Sequence, residues 1–373
     1  MRRVRLKEFG TFYSGLSGKS KSDFSEGNAL LVTYRNIFNN PVLNPAIKDT
    51  VVVGKDEKQN EVLWGDILIT GSSETPADAG MSSVVLFNPQ EKMYLNSFCF
   101  GFRLNDMNEA LPSYIGHLLR STSIRAAISK TAFGVTRFNV NRMRFADIEI
   151  PLPPLNIQKE IVSILDSFTS LIGKMKQEVE MRKKQMEYYR EKLMAPQTNW
   201  KIKTLGEIGT FTRGNGLQKS DFRVKGFPCV HYGQIHTYYN TCIYKTKSFC
   251  EEDLAKKLQK ASYGDLLIAT TSEDVKACCK AAVWFGAGDV AYSGDSFCYS
   301  HDQDPKYMAY LFQTEMFAKQ KQKAATGAKV IRVSGESMAS FSFAFPPLVQ
   351  QRQIASILDT FESYISKLEK MIE

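Results

Sequence analysis

The sequence predicts an α/β (α+β) fold: two similar mixed units joined by long helices that pair as an antiparallel coiled coil, in a pseudo-two-fold internal repeat. Three observations predict it. Apolar residues recur with a 3.5-residue period through residues 153–193, the same segment returns at 346–373, and the strand-rich blocks before each copy share one order of landmarks. The expected division is residues 1–152 as a first unit, 153–196 as a central spacer helix, 197–345 as a second unit, and 346–373 as a short C-terminal helix.

The helix comes first because it organises the rest. Its apolar positions are Ile161, Leu165, Phe168, Ile172, Met175 and Val179, then Met186, Tyr189 and Leu193, with Arg182 interrupting the series. Steps alternating between four and three keep one narrow stripe facing a partner helix over many turns. A helix lying on a globular core shows a broader stripe at 3.6. Lys174, Lys176, Glu178, Glu180, Lys183, Lys184 and Glu187 give the charged exterior of a solvated coiled coil. About 40 residues at 1.5 Å each make a rod of roughly 60 Å.

The second copy carries Ile354, Leu358, Phe361, Ile365, Leu368 and Ile372 in the same steps, and Pro153 aligns with Pro346 at an offset of 193 residues without a gap. Polar identities make this a duplication: Gln158 with Gln351, Asp166 with Asp359 and Lys174 with Lys367 are demanded by no heptad. The second helix reaches about 27 residues, or roughly 40 Å. The far end of the first is then either unpaired or completed by another segment or partner.

In the first unit, Leu30–Tyr34, Thr50–Val53, Ile67–Thr70, Met81–Phe87 and Ser97–Leu104 read as strands, followed by one amphipathic helix from Pro112 to about Lys130. The second unit repeats the order. Gly209-Thr210-Phe211 answers Gly10-Thr11-Phe12, Gly264-Asp265-Leu266-Leu267-Ile268 answers the strand at Gly65, and Pro305, Tyr307 and Leu311 answer Pro112, Tyr114 and Leu118. Between these anchors the units differ, so a shared scaffold is expected to present two different surfaces.

Composition narrows the function classes. The net charge of +9 leans toward a polyanionic partner, concentrated in the first forty residues, the helical rod and Lys319–Lys329. Seven cysteines without metal-ligand spacing point to reduced, mostly buried thiols in a cytoplasmic protein. No run of eighteen apolar residues exists, so no membrane partner is expected.

Motifs of covalent chemistry fail on inspection. Ser17-Gly18-Lys19-Ser20 lacks the glycine that a phosphate-binding loop needs, since Tyr13 stands there. Glu273-Asp274-Val275-Lys276 resembles a nuclease signature but its counterpart, Glu74-Thr75-Pro76-Ala77, does not. His117, His231, His236 and His301 form no paired ligand motif, so no metal is expected. No Gly-x-Gly-x-x-Gly follows a strand, and neither Asn44 nor Asn88 continues into Asn-Pro-Pro-aromatic. The chain is expected to be non-catalytic and free of cofactor.

Two variable units, each followed by a duplicated proline-led helix, resemble the specificity subunit of type I restriction-modification systems. The resemblance rests on Pro153-Pro154-Leu155, Gln158, Ile161 and Ile164-Leu165-Asp166 with their repeats at 346–359, and on the Gly-Asp strands at 65 and 264. It implies two target recognition domains, each reading half of a split sequence in double-stranded DNA. It also implies helices that pair antiparallel and dock methyltransferase subunits, as a pair, with restriction/translocase subunits joining through the complex. Half-sites one turn apart lie about 34 Å from each other, a span for which the rod would act as a ruler. Rival readings are the recognition subunit of a type IIB-like nuclease-methyltransferase, an enzyme with an unrecognised site, and a coiled-coil scaffold binding DNA without sequence preference.

Candidate DNA contacts are the cationic and amide side chains of the variable loops. They are Lys19, Lys21, Arg35, Arg137, Asn139 and Arg142 in the first unit, and Arg213, Lys219, Arg223, Gln234, Lys329 and Arg332 in the second. Ile161, Leu165, Phe168 and Ile172 are expected to form a buried seam with Ile354, Leu358, Phe361 and Ile365.

Overall fold

A computed structural model of the chain describes residues 2–372. They form two compact units, residues 2–172 and 173–372, whose boundary falls inside the helix Leu155–Met194.

The central sheet of the first unit runs Gly10–Ser14, Cys99–Leu104, Ile67–Thr70, Ser82–Val84, all antiparallel. In the second unit the order is Gly209–Arg213, Ser296–His301, Leu266–Ala269, Lys280–Trp284, with Cys242–Ile243 added in parallel at the edge. The unbroken apolar runs of Ile67–Ile69 and Leu266–Ala269 follow from position, because a central strand covered on both faces has no solvent side. Ile67 and Ile69 enter one core and Leu68 the other; Leu266 and Ile268 divide from Leu267 and Ala269 in the same way. Before each strand stands a glycine with positive φ, Gly65 at 85° and Gly264 at 94°. The next residue closes the turn, as Asp66 and Asp265 accept the N–H groups of Leu63 and Ser262 at 2.8 Å.

A smaller sheet packs beside the central one in each unit. It comprises Thr50–Val51, Ala29–Val32 and Met93–Leu95 in the first, and Ser248–Cys250, Phe227–Val230, Val290–Tyr292 and Lys260–Ala261 in the second. An antiparallel strand pair closes each unit, Arg2–Arg5 with Glu149–Leu152 and Lys201–Thr204 with Ser342–Phe345.

The single helix expected over 112–130 is two, Pro112–Arg120 and Thr122–Ser129. Ser121 breaks it: its backbone is extended and its hydroxyl donates to the Leu118 carbonyl at 2.7 Å, replacing a helical hydrogen bond. Thr314 does the same to Leu311 and then caps Glu315–Ala324.

Two of the repeated polar residues have structural work. Gln158 is fully buried, accepts from the Leu111 N–H and donates to the carbonyls of Glu109 and Pro153. Gln351, also fully buried, accepts from Asp304 N–H and donates to Pro346 O and Gln303. Each amide thus ties the proline-led helix start to the loop before the helix at 112 or 305. Asp166 accepts from His117, and Asp359 accepts from Tyr310 and Lys306. Nothing in the structure explains the match of Lys174 with Lys367.

The expected helix seam is corrected. Leu165, Phe168 and Ile172 are exposed, Phe168 by 60 %, and only Ile161 packs on the first unit's core. The helix Leu348–Ile372 buries Ile354 and Leu358 inside the second unit, among Met194, Met308 and Leu311, and buries Ile365 further along. Its helical partner there is the stretch 182–194, with Phe361 stacked on Tyr189 at 5.5 Å and Lys183 bound to Glu369 at 2.9 Å. Residue numbers rise on one helix as they fall on the other, so the pairing is antiparallel. The physical reason for the different register is proximity: the terminal helix starts beside the end of the long one and meets its nearest turns first. Arg182, the interruption in the apolar series, lies over the Tyr364 ring and binds Glu178 and Gln185.

Burial pushes the thiols of Cys99 and Cys229 up to about 12, which leaves them as inert core side chains. No helix among the described residues is long and apolar enough to cross a membrane, and no cluster of His, Cys, Asp and Glu there has the geometry to hold a metal.

Candidate nucleic-acid interface

A short hairpin projects from the same place on each framework. In the first unit Ala132–Phe133 and Phe138–Val140 pair with each other and with Ser72–Ser73. In the second, Ile331–Arg332 pairs with Thr271–Ser272, and Thr326 bridges to Arg332. The turns require glycine. Gly134 and Gly327 have φ of 130° and 102°, and a Cβ on either would stand 2.1 Å from the carbonyl oxygen three residues on. The tip is unusually apolar for an exposed turn, with Val135 89 % and Phe133 58 % exposed.

Two of the candidate residues, Arg137 and Asn139, lie on this element in the first unit, and Arg142 opens the short helix Arg142–Ala146 that follows it. Arg137 lies over the Phe98 ring at 5.0 Å and donates from Nε to Ser72 Oγ at 3.0 Å. Arg142 lies over Phe100 and donates to Ser14 Oγ at 2.8 Å. Asn139 is exposed between them on the strand. Beside Arg137 opens a cleft of about 680 Å³, walled by Tyr34, Phe38, Phe98 and the hydroxyl-bearing segment Ser72–Thr75. Arg35 is exposed on the helix Tyr34–Asn39, and Lys21 is exposed on the 3-10 turn Lys21–Phe24.

In the second unit Lys329 and Arg332 are exposed on the hairpin, and Lys219 on the turn Lys219–Asp221. Arg213 borders a cleft of about 480 Å³ with Gln218, His231, Tyr232 and Asp295, and donates to Gly294 O at 3.1 Å. Burial, with Lys219 nearby, pushes the His231 imidazolium down, so the ring stays neutral and accepts from Gly233 N–H as a helix cap.

Three candidates have their polar groups engaged within the chain. Lys19 is nearly buried against Glu57, and its hydrogen bond, aided by Gln59 and Gly54, holds that carboxyl down at about 2. Arg223 binds Glu251 through Nε and Nη2 at 3.1 and 2.9 Å and two carbonyls through Nη1. Gln234 donates to Ser248 at 2.7 Å and accepts from His231 N–H at 3.0 Å, fixing a helix start.

Sequence reasoning missed the aromatic side chains of this site: Phe98 and Phe100 beneath the two arginines, and Tyr34 and Phe38 in the cleft wall. Phe98, 57 % exposed immediately before a buried strand, left no periodic signal. Its partner arginine is far along the chain, and nothing local links them.

The family model described as the type I restriction modification DNA specificity domain matches residues 1–181 and again 197–373. A putative type I restriction enzyme specificity subunit of Haemophilus influenzae is 28 % identical over 247 residues, 63 % of this chain and 61 % of that one. The EcoR124I/EcoR124II specificity subunit of Escherichia coli is 24 % identical over 231 residues, covering 59 % and 57 %. The chain therefore spans about six tenths of the length of these curated relatives. Among solved structures, the type I system S subunit of M. genitalium is 15 % identical, with a TM-score of 0.53 over 100 % of this chain and 91 % of that one. A structure described as underlying complex assembly and conformational transition of the type I system gives 0.65 at 16 % identity, over 100 % and 92 %. With the specificity model matching both halves of a duplicated framework, the chain belongs to the type I restriction-modification DNA specificity family.

Proposed function

We propose that the chain is the sequence-recognition subunit of a type I restriction-modification complex and has no catalytic role of its own. Residues 1–152 and 197–345 act as two target recognition domains, each reading one half of a bipartite, non-palindromic site in double-stranded DNA. The observation that carries this reading is one framework, repeated in the order of its central strands, that presents two different loop chemistries at equivalent hairpins. A homodimeric reader of a palindrome would keep them alike.

The helices 153–196 and 346–373 serve as the conserved spacer. Methyltransferase subunits dock there, and restriction subunits join through them. An apolar stripe at Ile164, Leu165, Phe168, Leu171 and Ile172, left uncovered on a charged helix, supports a helical partner at that place.

The test is methylation mapping of DNA from cells that express this chain with its methyltransferase. The expected result is a new motif of two short blocks separated by a fixed unspecified gap. A continuous or palindromic motif, or none from a soluble and co-purifying complex, refutes the reading.

A further inference from the structure

We infer that Arg137 reads a guanine in the half-site bound by the first unit, and that the second unit has no equivalent guanine reader. The inference rests on the proposed function and adds the base chemistry.

The argument starts from how the guanidinium is held. Its carbon lies over the Phe98 ring at 5.0 Å, and its Nε donates to the hydroxyl of Ser72, itself buried, so the group is held at two points. Neither terminal nitrogen has a hydrogen-bond or ion-pair partner among the described residues. With Nε engaged, these two nitrogens are the donors left for a ligand. Guanine is the base that presents two acceptors, O6 and N7, side by side in the major groove, and an arginine fork matches them with two parallel hydrogen bonds. A phosphate contact needs no such pre-organisation, because a mobile lysine or arginine meets it equally well. Arg142 also lies over a ring, but one of its terminal nitrogens is bound to Ser14, so its fork is already half used.

The location suits a base edge. Arg137 sits on a two-stranded hairpin, an element that fits the major groove, with an exposed apolar tip at Val135 for contact with a thymine methyl or sugar. Ser73, Glu74 and Asp78 line the adjoining cleft.

The second unit keeps the backbone and discards the device. Phe138 pairs with Ser73 and Ile331 with Ser272, so Val330 stands where Arg137 does. Asp295 precedes the strand Ser296–His301 as Phe98 precedes Cys99–Leu104, and it accepts from Thr271. An aliphatic side chain and a carboxylate replace the cation and its aromatic support. The hairpin's remaining cations, Lys329 and Arg332, have no ring stacked against them among the described residues.

The experiment is methylation mapping with the methyltransferase co-expressed, comparing wild type, Arg137→Ala, Arg137→Lys and Phe98→Ala. The wild-type motif should hold an invariant G·C pair in the block lost when residues 1–152 are exchanged for those of a relative. Arg137→Ala should relax that one pair, by roughly five- to a hundredfold in preference, and leave the other block unchanged. Arg137→Lys keeps the charge and the fold but not the fork, so it should retain methylation while relaxing the same pair; this variant decides if the alanine protein is inactive. Phe98→Ala should relax it partly. A split motif whose first block lacks an invariant G·C, or keeps it undiminished in Arg137→Lys and Arg137→Ala, overturns the inference alone. Absence of a split motif in the wild type overturns the proposed function and the inference with it.

Discussion

Replacing Leu358 by alanine should destabilise the second unit far more than replacing Leu165 destabilises the first, although the two occupy one position of the duplicated helix. Leu358 is fully buried among Met308, Leu311 and Ile354, whereas Leu165 is 38 % exposed. Truncating a buried leucine loses its transfer free energy and leaves a cavity, together about 2–5 kcal/mol. At Leu165 there is little cavity to leave, and the cost should stay below about 1 kcal/mol. For a unit of the size of 173–373, each kcal/mol moves the midpoint by about 2–4 °C. Leu358→Ala should therefore lower the second unit's thermal transition by roughly 5–15 °C, and Leu165→Ala should barely move the first. Scanning calorimetry of the isolated chain reads both transitions. Equal shifts would refute the register described here, because they would mean that the Leu165 stripe is buried within the chain. Leu165→Asp, harmless to the isolated chain on this account, should weaken co-purification with the methyltransferase.

Gln351→Ala should cost about 2–4 kcal/mol, because it strips partners from the Asp304 N–H and the Pro346 carbonyl in a fully buried site; urea denaturation measures it. Desolvation lowers the proton affinity of both His231 and His301. Their unfolded forms take up protons that the folded forms refuse, so the second unit should lose stability as pH falls below about 6.5. An unfolding free energy that is flat from pH 7 to 5 would contradict this. Removing Lys21 should lower the slope of log affinity for DNA against log salt by about 0.9, read in a binding titration. Removing Lys19, whose charge is spent on Glu57, should leave that slope unchanged.

Much of the architecture was legible because duplication doubles every signal. Gln158 and Gln351 could be set apart from the heptad by their register alone, and both prove to be buried clamps at a helix start. The Gly-Asp turns and the apolar central strands were visible for the same reason. What periodicity could not supply was the identity of the partner. A 3.5-residue stripe says that a helix has a seam and is silent on which turns of the other helix fill it; here the choice went to residues 182–194 through Tyr189 and Lys183. The interface fared similarly. Cations were found by type, but Lys19 with Glu57 and Arg223 with Glu251 are pairs 38 and 28 residues apart, and only the fold brings them together. Phe98 beneath Arg137 is the converse case, a contact that turns an ordinary surface arginine into an oriented one.

The most direct test of the account is to exchange residues 200–345 for the corresponding stretch of a relative with a known target and map methylation in cells with the cognate methyltransferase. The account predicts that one block of the motif is replaced by the relative's, while the other block and the gap length stay as they were. Both blocks changing, or neither, would contradict the claim that each unit reads its own half of the site.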